Sequence, residues 1–496
     1  MKTLTVLFVL TLFYTAAFSQ LNRDFAYNQD IGSPAIRGKT EHDPNAQTYI
    51  LIAGGYNIWF NRDEFHYAYN MVKGDFIYTA NFQLDEGGDA HRKAGWMVRV
   101  SKDSQSAHIS ATLHGDGMSA FHWRPIRGAY MRDPQDEIRF PKKKAEVIQL
   151  ERQGETFIMR AAPAGEPLQE VGRKEFPDMP DSVMAGIFAC SHDPGNTVKA
   201  KTWNLRLDRP VSKDSKVISR LEYIDIQTGV RKLVHQSHTR FEAPNYMPNG
   251  KSLLFNEGGL LYTISESGGV PVVFNTGTVN RNNNDHGISF DGKMIAISSH
   301  RTGKPGGGST LYTLPITGGE PTMINDNTPS YWHGWAPDGK SVLVIAQRGK
   351  PVYNVYRVNL KDGTEVDLTR NESGHVDGAE YSPNGQWIYF NWNVTGTMQI
   401  WRMRPDGTQK EQITFDEYNN WFPHISPDGK WMAMISFNNE IDPDSHPADK
   451  RVTLRLMPVS GGSPKVIAYI YGGQGTINVP SWSPDSRKIS FVSYSY

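Results

Sequence analysis

Eight of the fifteen histidines fall in the C-terminal half of the chain, where they precede strand-like segments or lie between them: His235, His238, His286, His300, His333, His375, His424 and His446. An imidazole titrates close to neutral pH, so it can move protons during catalysis, and its neutral form is a good metal ligand. Carboxylate, amide and aromatic residues occur in the same segments. This combination of side chains indicates a site for polar ligands, with general acid–base chemistry within its reach.

Four of these residues are candidates for catalysis. His286, His333 and Tyr331 would move protons, whereas Arg301 would stabilise negative charge that develops on a carboxylate or enolate. Such a constellation would cleave an oligosaccharide by metal-assisted elimination or hydrolysis, in which a bound metal could replace Arg301 in stabilising the charge. The alternative, which stays open, is that these side chains bond their own loops and join neighbouring repeats.

A divalent metal is a further hypothesis for the same segments. Three imidazoles with one carboxylate suit a borderline metal, so we expect Mn, Zn or Ca to be held by His286, His333 and His424 with Asp285, or with Asp377 nearby. The spacing is uneven, because His286 and His333 lie six residues before a turn glycine and His424 lies five residues before one. Strand alternation would then point the His424 side chain to the opposite side of its strand.

The other polar and aromatic residues of these segments are predicted to bind the substrate, since aromatic rings stack on sugar faces and short polar side chains bond hydroxyls. This set comprises Glu242, Asn284, Trp332, Asp377, Asn420, Trp421 and Asn478.

A repeated turn positions all these residues. After residue 218 the chain shows six copies of an aromatic or apolar residue, a small residue and a Pro-Asp-Gly-like turn, followed by an apolar strand. The turn glycine, or its equivalent, is residue 250, 292, 339, 385, 429 and 486, with separations of 42, 47, 46, 44 and 57 residues. A period in the forties is typical of four-stranded propeller blades, so we expect six blades. The last copy ends after two strands, and residues 218–234 would supply the two missing strands.

Blade topology then assigns the two faces. The Pro-Asp-Gly turns join the first strand of each blade to the second, and the third-to-fourth turns lie on the same face. The remaining loops open on the opposite face, and all eight histidines map there. Because the first strand is innermost, the residues just before it would surround the mouth of the central channel.

The six repeats resemble the TolB/PD40 propeller family, a WD40-like group, over residues 218–496. The resemblance implies a bacterial periplasmic setting and a six-bladed ring. It leaves two functions open, because TolB binds proteins whereas the related oligogalacturonate lyases are metal-dependent sugar enzymes.

Residues 20–208 follow a different pattern. Strand-like alternation in segments such as 75–82 and 96–100, separated by glycine turns, predicts an antiparallel β-sandwich. The segments Gly55–Phe60, Asp63–Tyr67, Lys93–Arg99 and Ala185–Phe188 resemble the DUF1349-type concanavalin A/laminin-G-like sandwiches, which implies a jelly-roll fold. Residues 209–217 would form a linker, so the predicted protein is all-β, with a sandwich followed by a propeller.

Composition and the N-terminus limit where the protein acts. Lys+Arg and Asp+Glu both number 52, which argues against nucleic-acid binding, and no apolar run after the N-terminus is long enough to cross a membrane. Residues 1–19 have the pattern of a cleavable signal peptide without a lipobox cysteine. We therefore expect a periplasmic or secreted protein that lacks a membrane insertion.

Two hypotheses about function follow. The first is a carbohydrate-active protein that holds an oligosaccharide or polysaccharide in the propeller funnel and acts as a glycan lyase or hydrolase. The alternative is a non-catalytic TolB-like propeller that binds an envelope protein.

Overall fold

The chain folds into two compact units of β-structure. The computed structural model describes residues 25–142, 144–212, 215–370 and 373–496. The boundary between the N-terminal and the C-terminal unit lies between Arg209 and Pro210. The predicted signal peptide lies outside the described residues. Within the described ranges the helical content is a single 3-10 turn at Gly306–Gly308, so the all-β prediction is confirmed.

The described part of the N-terminal unit contains sixteen strands. Their bounds are β1 Tyr27–Ile31, β2 Lys39–Asp43, β3 Thr48–Ala53, β4 Ile58–Trp59, β5 Arg62–Asp63, β6 Phe65–Lys73, β7 Phe76–Leu84, β8 Lys93–Arg99, β9 His108–His114, β10 Ser119–Arg124, β11 Glu137–Arg139, β12 Val147–Gln153, β13 Thr156–Ala162, β14 Gln169–Glu175, β15 Ser182–Cys190 and β16 Val198–Asp208. They form two seven-stranded sheets, ordered β1-β6-β15-β8-β9-β10-β11 and β14-β13-β12-β7-β16-β3-β2, with β4 and β5 as a separate hairpin.

The two sheets share one hydrophobic core. Alternate residues of each strand contribute to it, among them Trp96 from one sheet and Ile148 from the other. The indole Nε1 of Trp96 donates to the Ile148 carbonyl at 3.0 Å, which satisfies the buried N–H without a break in the core. A pair of antiparallel sheets around a common core is therefore present, and the narrower jelly-roll, concanavalin-like assignment stays a prediction.

A buried charge cluster lies outside this core. Asp63 is fully buried, and its carboxylate accepts hydrogen bonds from Arg99 at 2.8 Å and from Arg124 at 2.6 and 2.7 Å. Two guanidinium groups thus compensate one desolvated carboxylate, as a buried charge requires.

The C-terminal unit is the predicted six-bladed propeller. Its strands are β17 Ile218–Asp225, β18 Val230–Ser237, β19 Phe241–Tyr246, β20 Ser252–Glu257, β21 Leu260–Ser265, β22 Val272–Phe274, β23 Asn282–Ile288, β24 Met294–Ser299, β25 Thr310–Pro315, β26 Thr322–Met323, β27 Ser330–Trp335, β28 Ser341–Ala346, β29 Asn354–Asn359, β30 Glu365–Asp367, β31 Val376–Tyr381, β32 Ile388–Trp392, β33 Gln399–Met403, β34 Glu411–Gln412, β35 Asn419–Ile425, β36 Trp431–Phe437, β37 Lys450–Pro458, β38 Lys465–Gly472 and β39 Lys488–Ser495. Five blades are consecutive four-stranded sheets, from β19–β22 to β35–β38.

The sixth blade joins both ends of the propeller sequence, as predicted. Strand β39 pairs antiparallel with β17, from Ile218 opposite Ser495 to Asp225 opposite Lys488, and β18 lies beyond β17. A bridge between Trp482 and Ile489 adds the innermost segment. Because the first and last strands hydrogen-bond to each other, the ring closes without a free edge between its ends.

The innermost strands carry most of the candidate residues, and each of the five long ones contains a β-bulge. The register shifts between Glu242 and Asn245, Asn282 and His286, Trp332 and Gly334, Asp377 and Glu380, and Trp421 and His424. A bulge inserts an extra residue and changes which side chains face a given side of the strand. Simple alternation therefore does not hold through these segments.

Candidate functional site

A polar pocket occupies the loop face of the propeller. Its volume is about 420 Å³, and all six blades contribute to its lining: Glu242, Asn256, Asn283, Asn284, Asp285, His300, Tyr331, His333, Ile345, Tyr353, His375, Asp377, Phe422, His446, Gln474 and Asn478. Volumes in this range accept small ligands or a few side chains of a partner. The pocket combines carboxylates, imidazoles, amides and aromatic rings.

One position of the repeat contributes to the lining in almost every blade. The residue eight places before the turn glycine lines the pocket in five of six blades, as Glu242, Asn284, Tyr331, Asp377 and Asn478. In the remaining blade this residue is Trp421, which is fully buried, and its neighbour Phe422 lines the pocket instead. The left-handed backbone of Phe422, with a φ of 55°, does not explain the exchange, because Ala243 and Gly378 at the same repeat position have φ of 56° and 62°.

Asp377 is surrounded by three imidazoles. Its carboxylate lies 2.9 Å from Nε2 of His333, 3.8 Å from Nε2 of His375 and 3.6 Å from Nε2 of His446. Burial opposes ionisation, but the charge and hydrogen bond of His333, with the nearby imidazoles of His375 and His446, outweigh it and hold the pKa of Asp377 well below its usual range. Burial likewise opposes the cationic form of His333, and Asp377 more than offsets it, so the pKa of His333 is raised. This pair behaves as an ion pair inside the pocket.

Two other carboxyl groups have the opposite behaviour. Burial, reinforced by the charges of Asp377 and Glu242, raises the pKa of Asp285 to about 7, although His333 opposes the shift. Burial also raises the pKa of Glu242, against the charge of Arg240 and a 3.0 Å hydrogen bond from Asn284 Nδ2 to Glu242 Oε2. The pocket thus holds one firmly ionised carboxylate and two that retain protons more readily than usual.

Aromatic rings form part of one wall. The Tyr331 and Tyr353 rings lie 6.2 Å apart, and Tyr353 stacks on His375 with centroids 5.5 Å apart and planes inclined by 25°. These rings offer an apolar surface beside the charged groups.

Six of the thirteen predicted site residues do not line this pocket. His286 is fully buried, and burial lowers its pKa to about 3. Arg301 lies in the loop between β24 and β25, where its Nε donates to Thr310 Oγ1 at 2.8 Å and a terminal nitrogen pairs with Asp326 at 2.5 Å. The others are Trp332, Asn420, Trp421 and His424, all less than one-tenth exposed.

Their contacts indicate packing roles in this conformation. His424 places Nδ1 2.7 Å from Glu380 Oε2 and Nε2 2.8 Å from the Ile477 carbonyl, so both ring nitrogens face oxygen acceptors. The Asn420 side-chain oxygen accepts from Ser436 Oγ at 2.6 Å and from Arg455 at 3.1 Å.

The structure therefore brings together Tyr331, His333, Glu242, Asn284, Asp285, Asp377 and Asn478, and it separates them from the other six. The proposed metal set of His286, His333, His424 and Asp285 is not assembled around one point. Over residues 25–142, 144–212, 215–370 and 373–496, no group of three or more His, Cys, Asp or Glu side chains is arranged to hold a metal ion. A bound metal stays a prediction.

Nine lining residues were absent from the predicted set: Asn256, Asn283, His300, Ile345, Tyr353, His375, Phe422, His446 and Gln474. The repeat pattern places the three histidines among them, His300, His375 and His446, on the loop face, and this placement is the sequence signal that could have identified them. Tyr353 and His446 come from loops between the second and third strands of their blades, and the depth to which such loops reach is not visible in a repeat pattern.

Comparison with known proteins identifies relatives of the propeller unit. The model of the TolB beta propeller domain family matches residues 330–454. An uncharacterized protein of Agrobacterium fabrum is 45% identical over 278 residues, which cover 56% of this chain and 92% of that protein. A solved structure from Agrobacterium tumefaciens, described provisionally as TolB, has 43% identity and a TM-score of 0.53, and the match covers 57% of this chain and all of that one.

These matches, together with the ring and its mouth pocket, define a TolB-type β-propeller protein. The chain belongs to the TolB β-propeller family. A manganese-bound oligogalacturonate lyase is a distant neighbour, with 13% identity, a TM-score of 0.37, and coverage of 56% of this chain and 78% of that one. That similarity is too low to bear on function. No helix in the described part of the chain has the length and apolar character to cross a membrane.

Proposed function

We propose that the propeller is a non-catalytic binding module that receives a polar segment of a partner protein in its mouth pocket. The observation that carries the proposal is the convergence of residues from all six blades on one pocket at the channel mouth. Membership of the TolB propeller family supports it. A catalytic activity would require some of these residues to take part in the chemistry, whereas binding requires only the shape and the charge of the pocket.

The size of the pocket limits what enters it. A volume of about 420 Å³ accommodates a few side chains rather than a folded surface. The partner would therefore insert a short extended segment or a loop tip, while the surrounding loops contact the rest of the partner.

The expected setting is the bacterial envelope. The predicted signal peptide at residues 1–19 would export the protein, and the partner would then be an envelope protein in the periplasm or outside the cell. The N-terminal unit, with its predicted concanavalin-like fold, would support the propeller or contribute a second binding surface.

The test is a parallel screen of residues 20–496 against a short-peptide display library and a glycan array. We expect peptides to be enriched and their binding to be weakened by Tyr331→Ala at the mouth. The control Val273→Ala changes a half-exposed valine on an outer strand and should leave binding intact. Enrichment of oligosaccharides without peptides, dependent on Tyr331, would overturn the proposal.

A carbohydrate-active enzyme is the second candidate, and one observation favours it. Asp285, with a pKa of about 7, and Asp377, with a pKa well below its usual range, line the same pocket. A protonated acid beside an ionised carboxylate is the arrangement that acid–base cleavage of a glycosidic bond requires. Release of reducing sugar ends from an oligosaccharide, lost in Asp285→Asn, would establish this function in place of binding alone.

A further inference from the structure

Asp285 is a buried carboxyl group that lacks a compensating partner. Its side chain is 5% exposed and lines the mouth pocket. Its backbone N–H donates to Asn283 Oδ1 at 3.0 Å, but in the described residues no donor or cation is paired with its carboxylate. An unpartnered carboxylate with so little contact with water is costly to keep.

The same chain compensates its other buried carboxylates. Asp63 in the N-terminal unit is held by Arg99 and Arg124. In the propeller, Glu222 accepts from Arg231 at 2.8 Å. Arginines thus compensate Asp63 and Glu222, and His333 compensates Asp377. Asp285 has no such partner among the described residues, and it lines a pocket that a ligand can enter.

The whole pocket shares this deficit of positive charge. Glu242, Asp285 and Asp377 come from three different blades, and none of the described lining residues is a lysine or an arginine. His333 offsets Asp377. The nearby Arg240 donates instead to both carboxylate oxygens of Asp449, at 2.8 and 2.9 Å. Glu242 and Asp285 therefore remain without a cation of their own.

We propose that the mouth pocket binds a cationic group of the partner segment, an ammonium or guanidinium, between Asp285 and Glu242. This inference rests on the proposed function and specifies its ligand chemistry. The source of the cation is a lysine or arginine side chain or the amino terminus of the segment. The rings of Tyr331, Tyr353 and Phe422 provide apolar surface for the alkyl part of such a side chain.

The protonation of the pocket agrees with this assignment. A cation seated beside Asp285 would reverse part of the pKa shift that burial produces and would release a proton to the buffer. The groups that face Asp285 are Glu242, His333, Asp377 and Tyr331, and they are present in both the free and the bound protein.

The experiment is calorimetry of residues 20–496 with four glycine-rich peptides. Three are acetylated and amidated and carry lysine, arginine or norleucine at the centre, and the fourth contains only glycine with a free amino terminus. We expect lysine or arginine to bind at least about tenfold more tightly than norleucine, because norleucine keeps the stem and lacks the charge. Comparable binding of the fourth peptide would support the cation site and assign it to the chain terminus.

Matched variants locate the effect. Asp285→Asn and Glu242→Gln remove the charge with little change of shape, and each should weaken lysine-peptide binding about tenfold. Glu440→Gln removes an exposed carboxylate that does not line the pocket and should leave the affinity unchanged. If Asp285→Asn fails to fold, Glu242→Gln alone carries the comparison.

The two proposals fail differently. Equal binding of the lysine and norleucine peptides would overturn the cation inference and leave peptide binding in place. Absence of binding by all four peptides, with mouth-dependent binding of an oligosaccharide, would overturn both.

Discussion

The two ends of the propeller hold pockets of similar size and opposite chemistry. The pocket at the turn face has a volume of about 450 Å³ and is lined by turn prolines such as Pro248 and Pro427 and by Trp332, Trp335 and Trp482. The pocket at the loop face, of about 420 Å³, is lined by carboxylates, imidazoles and amides. The same inner strands form both.

The two pockets differ in chemistry because some positions of the repeat have similar residues in every blade and others do not. The turn residues recur from blade to blade, so they build an apolar ring that has the same role in every blade. The position eight residues earlier is Glu, Asn, Tyr, Asp, Trp and Asn in successive blades. Repeated residues therefore hold the ring together, and unlike residues give the mouth its chemistry.

The largest expected effect is at the turn face. Trp332 is fully buried, and a Cβ placed on Gly287 of the preceding blade would lie only 2.0 Å from its Cη2. Trp332→Ala should therefore lower the free energy of unfolding by about 4 kcal/mol, measured by urea denaturation. Val366→Ala, at a 42% exposed site of the same blade, should change it by less than about 0.5 kcal/mol. If Trp332→Ala lowered the free energy of unfolding only slightly, packing at the turn face would not be a main source of the propeller's stability.

At the loop face, Asp285→Asn should stabilise the protein in a pH-dependent way. The folded pKa of about 7 exceeds the usual 3.8, so the folded state binds more protons between these values and wild-type stability falls as pH rises through them. The gain from Asp285→Asn should grow by roughly 2 to 3 kcal/mol from pH 5 to pH 8. His333 also titrates, but it is present in both proteins and largely cancels in the difference.

Thermal melts of the two proteins at pH 5, 6, 7 and 8 measure this gain. If the gain in stability did not depend on pH, Asp285 would be ionised over this whole pH range in the folded protein, and its burial would not destabilise the ionised form.

A smaller effect is expected at the turn glycines. Gly339 has a φ of 68°, and an added Cβ would meet nothing within 4 Å, so Gly339→Ala tests backbone strain alone. We expect a loss of about 1 kcal/mol in chemical denaturation. Gly195→Ala, in a turn without positive φ, is the control and should be neutral or slightly stabilising. If Gly339→Ala and Gly195→Ala changed the stability equally, the positive φ of the turn glycine would not contribute to the stability of the fold.

The smallest effect on stability is expected at Asn284. Asn284→Ala removes the hydrogen bond to Glu242 and should cost roughly 0.5 to 1 kcal/mol in a thermal melt. Because that bond favours the ionised form, the pKa of Glu242 should rise further in the variant, as followed by carboxyl carbon NMR. The pKa of Asp377, which His333 holds low, should not move in the same spectra. If the pKa of Glu242 did not change in Asn284→Ala, the hydrogen bond from Asn284 would not contribute to the ionisation of Glu242.

Local sequence determined the ring and its two faces. Proline, Asp or Asn and glycine at fixed places specify a turn through backbone preferences that act over a few residues. Six such turns at a period in the forties were therefore enough to predict six blades, the closure of residues 218–234 with the last strand, and the location of Tyr331 and Asp377 at the channel mouth.

Only the tertiary structure decided which side chains meet. Trp421 occupies the same repeat position as Asp377 and its strand has the same bulge, yet Trp421 is fully buried and Phe422 lines the pocket in its place. His424 was predicted as a metal ligand, but Glu380 from the neighbouring blade takes one of its ring nitrogens. His375 and His446 reach Asp377 from separate loops. Bulges and contacts between blades depend on how distant strands pack, and a local pattern of residues contains no information about that packing.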